Sequence, residues 1–159
     1  ALRVFAEIHR KNKKTAYDII GYGEEEEFIM NRVKELGLEA SCRIFINPDN
    51  IPELLDSADI YLSTSLIEGT SNSIMEAMNA SLPIVATNVG DNSYLIEEGV
   101  NGYLLPIKDV EGIATKLTAL VDDINLRQQM GKESLARLTR NYSVEAFRNN
   151  YMKILIQES

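Results

Sequence analysis

Two carboxylates and a run of small polar residues carry the chemical interest of this sequence. In LIEGTSNSIMEAM, Leu66 to Met78, Glu68 and Gly69 form a turn, Thr70, Ser71, Asn72 and Ser73 follow, and Glu76 sits inside an apolar helix pattern. Carboxylates accept hydrogen bonds from vicinal hydroxyls, and free amides at the positive end of a helix hold phosphate. Gly69 removes a side chain where a ligand would pass, while Thr70, Ser71 and Asn72 are small enough to leave the amides open. Ile74, Met75, Ala77 and Met78 make the apolar side of the helix, and Asn72, Ser73, Glu76 and Asn79 the other. At about 1.5 Å per residue, Glu76 stands a turn or so above the first free amides. A phosphate there would have one carboxylate on either side, which suits a sugar attached to a phosphate. A purely structural alternative competes: Ser73 and Glu76 fit a capping box, with Glu68 a solvated strand end.

The elements that must position these groups alternate along the chain. ALRVFAEIHR reads as a helix, TAYDIIG as a strand, and Glu24 to Leu36 as a helix whose first turn holds four glutamates and which stops at Gly37. CRIFI is a strand, Pro52 to Ser57 a short helix, DIYLSTS a strand, and the Glu76 helix runs to about Ala80. PIVAT and GYLLP are further strands, separated by a short helix near Ser93 to Glu97. Helices over Val110–Val121, Leu126–Thr139 and Ser143–Gln157 close the chain, the last with Val144, Phe147, Tyr151, Ile154 and Leu155 as a stripe to dock. Short apolar strands alternating with helices predict an α/β, Rossmann-like three-layer sandwich around a mainly parallel sheet. Such sheets bind ligands beyond the carboxyl ends of their strands, where Gly21, Asn47 to Asn50, Glu68 to Asn72 and Asn88 to Asn92 fall.

Composition narrows the classes. The 159 residues, 45% apolar and 25% charged, are enough for a single packed domain. A formal net charge of -8 leaves no basic excess for a nucleic-acid backbone, though one small anion can still sit at a helix end. One cysteine, Cys42, permits no internal disulfide, and with one histidine, His9, no cluster shows metal-site spacing. His9 reads as a surface or packing residue and Cys42 as a small buried side chain. There is no run of about eighteen apolar residues and no signal-peptide pattern, so a cytoplasmic location is expected, with membrane contact only through parts of a longer parent.

The Glu68-to-Glu76 spacing also resembles the signature of the retaining GT-B glycosyltransferases, the glycosyl transferases group 1 or family 4-like enzymes. That signature is a Glu, seven residues, then Glu. The likeness continues through NASLPIVATNVGDNSYLIEEGVNGYLLP, and YDIIGYGEEEEFI and NIPELLDSADIYLSTSLIEG fit upstream pieces, so nearly the whole chain is covered. The resemblance implies the C-terminal, donor-binding half of a GT-B fold. By it, Glu68 contacts the donor sugar's hydroxyls as an orienter, and Glu76 binds the nucleotide's ribose. The amides of Gly69, Thr70, Ser71 and Asn72 meet the diphosphate, Asn47 and Pro48 lie near the base, and turns at Gly21 and Gly90 shape the cleft. The donor would be a nucleoside-diphosphate sugar, with no metal or other cofactor implied, used in polysaccharide biosynthesis with retention of configuration.

The chain departs from the family pattern at several places. Ala80-Ser81 stands where Cys-Gly is usual, Asp91 where a second glycine is usual, and Ser93 where a glutamate is frequent. No counterpart exists for the family's first strand, for its diphosphate-neutralising arginine and lysine, or for the N-terminal acceptor domain. The 159 residues are therefore expected to be a fragment, binding donor weakly and inactive alone. The family's strand order, 3-2-1-4-5-6, then lacks its central strand; either the strands flanking that place close up, or N-terminal residues fill it. Alternatives are a nucleotide-sugar epimerase of the same architecture and a non-catalytic nucleotide-binding domain. An NAD-binding reading has only Gly21-x-Gly23 and Asp49 behind it, and a response-regulator-like module lacks its acidic cluster.

Overall fold

In the computed structural model, which describes residues 1–157, every expected element is present. In chain order they are α1 (Leu2–Lys11), β1 (Tyr17–Gly21), α2 (Glu26–Glu35), β2 (Cys42–Ile46), α3 (Ile51–Asp56) and β3 (Tyr61–Ser63). Then come α4 (Asn72–Asn79), β4 (Ile84–Thr87), α5 (Asn92–Leu95), β5 (Gly102–Leu105), α6 (Val110–Asp122), α7 (Ile124–Tyr142) and α8 (Val144–Gln157). The first stretch is helical because its apolar residues recur at helical spacing: Val4, Phe5 and Ile8 are all buried. DIYLSTS pairs over Tyr61–Ser63 alone; beyond it the chain leaves the sheet to build the Glu68 loop.

All strand pairs are parallel, but the expected single sheet is divided. β1 pairs with β2, and separately β3 pairs with β4 and β4 with β5. Neither expected solution to the central place is adopted: β1 and β3 do not close up, and the N-terminal residues form α1 instead of a strand. Between the facing edges of β1 and β3 runs a groove of about 720 Å³, lined along its length by Tyr17, Ile19, Tyr61 and Leu62 and walled by Phe5 and Leu117. Strand neighbours lie about 4.8 Å apart, so two edges held open by a groove cannot bond each other.

The core has three parts. One gathers Val4, Ile8, Val85, Leu105, Leu117, Leu120 and Met130 beneath α1, α6 and α7. A second packs Ile74, Ala77, Met78, Ile84, Leu95 and Ile96 around α4. A smaller one joins Phe5, Val33, Leu38 and Cys42 under the β1–β2 pair. β4 is buried at every position because its run of Ile, Val, Ala and Thr is covered on both faces.

One expectation is corrected at the end of the chain. Val144, Phe147 and Tyr151 on α8 do not dock; all three are exposed, with the Phe147 and Tyr151 rings stacked on each other at 6.2 Å. Among the described residues, α8 meets α7 and little else, and Val144, Phe147 and Tyr151 have no partner element. Ile154 and Leu155 lie outside the described side chains. Ser81, at the position where glycine is usual, adopts φ +57, a left-handed backbone that a side chain disfavours. The conformation is held by packing, because Gly131 of α7 sits so close that a Cβ there would fall 2.0 Å from the Ser81 carbonyl oxygen.

Candidate functional site

The capping-box alternative does not hold. Helix α4 starts at Asn72 with Ser71 as its N-cap, so Ser73 is its second residue and Glu76 is out of reach of that motif. Ser71 makes no side-chain cap bond; its hydroxyl lies 3.1 Å from that of Ser73 instead. The first intrahelical bond is Met75 N–H to the Ser71 carbonyl at 3.2 Å, so the amides before it are left without helical partners. Eight residues of helix thus end in free N–H groups, beside which Gly69 and Thr70 are exposed.

Glu68 is held, not loose. The Ser65 hydroxyl donates to Glu68 Oε1 at 2.6 Å, and Ser63 Oγ lies 3.3 Å from Ser65 Oγ. The buried Thr87 hydroxyl donates to the Ser65 carbonyl at 2.6 Å, fixing the same loop from β4. Asn92, fully buried, donates to the Thr87 carbonyl at 2.9 Å and carries the support one step further. None of Ser63, Ser65 and Thr87 is among the residues picked out from sequence, and Asn92 entered only as the end of the Asn88 to Asn92 loop. Ser65 stands three residues before Glu68, a spacing that could have flagged it; Thr87 and Asn92 come close only through the tertiary fold.

Gly90 is required where it is. Its φ is +51, and a Cβ there would stand 2.2 Å from the Glu68 carbonyl oxygen and 3.0 Å from that of Gly69. The loop after β4 therefore lies directly against the Glu68 turn. Asp91 N–H points to the Gly69 carbonyl at 3.4 Å, and the Thr70 hydroxyl donates to Asp91 Oδ2 at 2.7 Å. Gly21 and Gly69 are different: an added Cβ at either meets nothing within 4 Å.

The remaining candidates line the upper end of the groove. Gly21, Asn47, Pro48, Ser73 and Glu76 share it with Tyr22, which is 83% exposed on its rim. Asn47 has φ +46, a conformation that asparagine tolerates better than most residues. Glu68, Gly69, Thr70, Ser71, Asn72 and Gly90 are not among the groove's lining residues; they lie on the loops after β3 and β4 and at the start of α4, next in the chain to Ser73. Tyr61 lies between the two groups: burial raises the pKa of its hydroxyl, the Ser73 hydroxyl opposes that, and Glu68 and Glu76 both push it further up. Both acids thus act on one phenol, and Glu76 reaches the solvent from the polar face of α4. Among the described residues no group of three or more His, Cys, Asp or Glu could hold a metal ion, and no helix is long and apolar enough to cross a membrane.

Known proteins share this arrangement of chain. The Rhizobium meliloti lipopolysaccharide core biosynthesis glycosyltransferase LpsE is 26% identical over 137 residues, covering 86% of this chain and 40% of LpsE. A Haemophilus influenzae uncharacterized glycosyltransferase is 30% identical over 155 residues, covering 97% of this chain and 44% of its own. The crystal structure of Anabaena HepE in complex with UDP-glucose superposes with a TM-score of 0.83 at 21% identity, over 98% of this chain and 44% of HepE, and shows the shared fold. The chain thus spans less than half the length of these relatives. The profile of the family described as glycosyl transferases group 1 matches residues 1–137. With the paired acids, the open α4 amides and the parallel α/β layers on one continuous match, this chain belongs to the glycosyl transferases group 1 family.

Proposed function

We propose that these residues form the donor-binding half of a retaining glycosyltransferase that takes its sugar from a nucleoside diphosphate. The observation that carries the reading is the uncapped start of α4 between two acids, Glu68 on its loop and Glu76 on its exposed face. The diphosphate lies at the amides of Gly69 to Asn72, where the helix dipole favours negative charge. Glu68, its carboxylate fixed by Ser65, orients the sugar's hydroxyls, and Glu76 takes the ribose. The base then falls toward Asn47 and Pro48, with Gly21 giving the turn beside it.

Amides already aimed at the leaving phosphate oxygens stabilise the charge that develops there without reorganising. Glu68 positions the donor and is not a nucleophile in this scheme. Helix-end amides and residues of a longer polypeptide carry the charge compensation, so 159 residues alone bind donor weakly and do not turn it over. The open groove between β1 and β3 supports a domain boundary of this kind: a strand from the rest of the polypeptide lies in it, and an acceptor domain closes over the site. The similarity to LpsE favours lipopolysaccharide or other polysaccharide biosynthesis. In the complete enzyme, Glu68→Gln is expected to lower kcat by about 100-fold with an unchanged melting temperature. Turnover within about twofold of the parent would remove Glu68 from the site.

A further inference from the structure

Asp91 occupies the N-cap of α5, a position where aspartate ordinarily accepts a bond from the helix's own first amides. Here it makes no such bond. Its carboxylate turns to the Thr70 hydroxyl, twenty-one positions back along the chain, at 2.7 Å. Burial does not force the choice, since Asp91 is only partly covered and Thr70 is exposed. The close contact of Gly90 with the Glu68 carbonyl fixes the Asp91 backbone, so the carboxylate is held beside the Glu68 turn.

Each of the two acids keeps an oxygen in reserve. Ser65 occupies Glu68 Oε1 and Thr70 occupies Asp91 Oδ2; among the described residues, Glu68 Oε2 and Asp91 Oδ1 have no hydrogen-bond partner. No lysine, arginine or histidine among the described residues is ion-paired or hydrogen-bonded to either carboxylate. The wall that faces a donor sugar is therefore negative and can only accept hydrogen bonds.

We infer that Asp91 selects the donor by charge, so that the site takes nucleotide sugars with a neutral, hydroxyl- or amide-bearing ring and rejects those bearing a carboxylate, the uronic acids. Hydroxyl and amide groups donate to the two free oxygens. A sugar carboxylate placed there meets two like charges in a partly desolvated corner, where Coulomb repulsion is several-fold stronger than in bulk water. Glu68 alone would orient hydroxyls; Asp91 adds the discrimination. The inference rests on the nucleotide-sugar reading above and narrows its substrate class.

The test is ligand titration of the 159-residue chain followed by protein NMR, with UDP, UDP-glucose, UDP-N-acetylglucosamine and UDP-glucuronate each to millimolar concentration. The two neutral donors are expected to bind about tenfold more tightly than UDP-glucuronate. Asp91→Asn is expected to shrink that ratio to about threefold or less, and Asp91→Glu to keep it near the parent value. Thr70→Val, which removes the carboxylate's hydrogen-bond donor but keeps the Asp91 charge, should preserve most of the ratio. Melting curves establish that each variant is folded. UDP-glucuronate binding as well as UDP-glucose, or a ratio indifferent to Asp91→Asn while UDP still binds, would overturn the charge selection and leave the nucleotide-sugar reading standing. Failure of UDP and all three sugars to perturb the parent chain would overturn both.

Discussion

The two sheets differ in how firmly they hold what they carry. The β3–β4–β5 sheet has a strand buried at every position, and its loops bear Glu68, Gly90 and Asp91. Its polar groups form a chain of support running from Asn92 through Thr87 and Ser65 to Glu68. The β1–β2 pair is half-exposed along both strands and bears Gly21, Asn47 and Pro48. Its cross-strand ion pair, Arg43 with Asp18, lies on the surface and adds little stability. Residues proposed to meet the donor sugar sit on the firmer sheet, whereas those proposed for the base sit on the looser one. The groove separates them, so the spacing between sugar and base contacts depends on what fills it.

The sharpest way to break this comparison is at Gly90. Gly90→Ala forces a Cβ into the Glu68 carbonyl and a side chain into a left-handed backbone. A loss of about 3 kcal/mol, on the order of 10 °C in Tm, is expected by thermal denaturation, together with loss of UDP-sugar binding. Gly21→Ala meets open space and should change Tm by about 1 °C or less. Equal effects at the two glycines would mean that the sheets are equally tolerant.

Hydrogen exchange sharpens the comparison at the groove. Tyr17 N–H bonds to the Ser41 carbonyl and Tyr61 N–H to that of Pro83, so both point away from the groove. Successive residues of a parallel strand alternate sides, which turns Asp18, Ile20 and Leu62 toward it. In the 159-residue chain these three amides should exchange at least about tenfold faster than Tyr17, Ile19 and Tyr61. In the complete protein a strand in the groove should slow them to the rate of their neighbours. Fast exchange of all three in the complete protein would leave the groove without a strand.

The smallest expected effect is a gain. Ser81→Gly relieves the left-handed serine on the rigid side, partly offset by greater freedom of the unfolded chain. A gain of roughly 0.5 kcal/mol, read as about 1–2 °C in Tm, is expected. A fall in Tm would show that the Ser81 side chain contributes more than its backbone costs.

The local features were legible in the residues themselves. α4 could be read from its apolar face, where Ile74, Ala77 and Met78 are fully buried, and β4 from its unbroken apolar run. The spacing of Glu68 and Glu76 placed both acids near one helix start. The capping-box reading of the same stretch failed because the helix begins two residues earlier than Ser73-to-Glu76 pairing needs, and four residues cannot reveal where a helix starts. The α8 stripe misled for a related reason: amphipathic spacing announces an apolar face without showing that anything covers it.

What the sequence by itself determined about this protein is the order and type of its elements and the acids at the sheet's carboxyl edge, because periodicity and turn chemistry act over a few residues. Only the tertiary structure decided that Thr87 and Asn92 brace the Glu68 loop, that Asp91 abandons its own helix for Thr70, and that the sheet stays divided. Those outcomes turn on contacts such as Thr87 with Ser65 and Asp91 with Thr70, about twenty positions apart, whose geometry follows from how the layers pack.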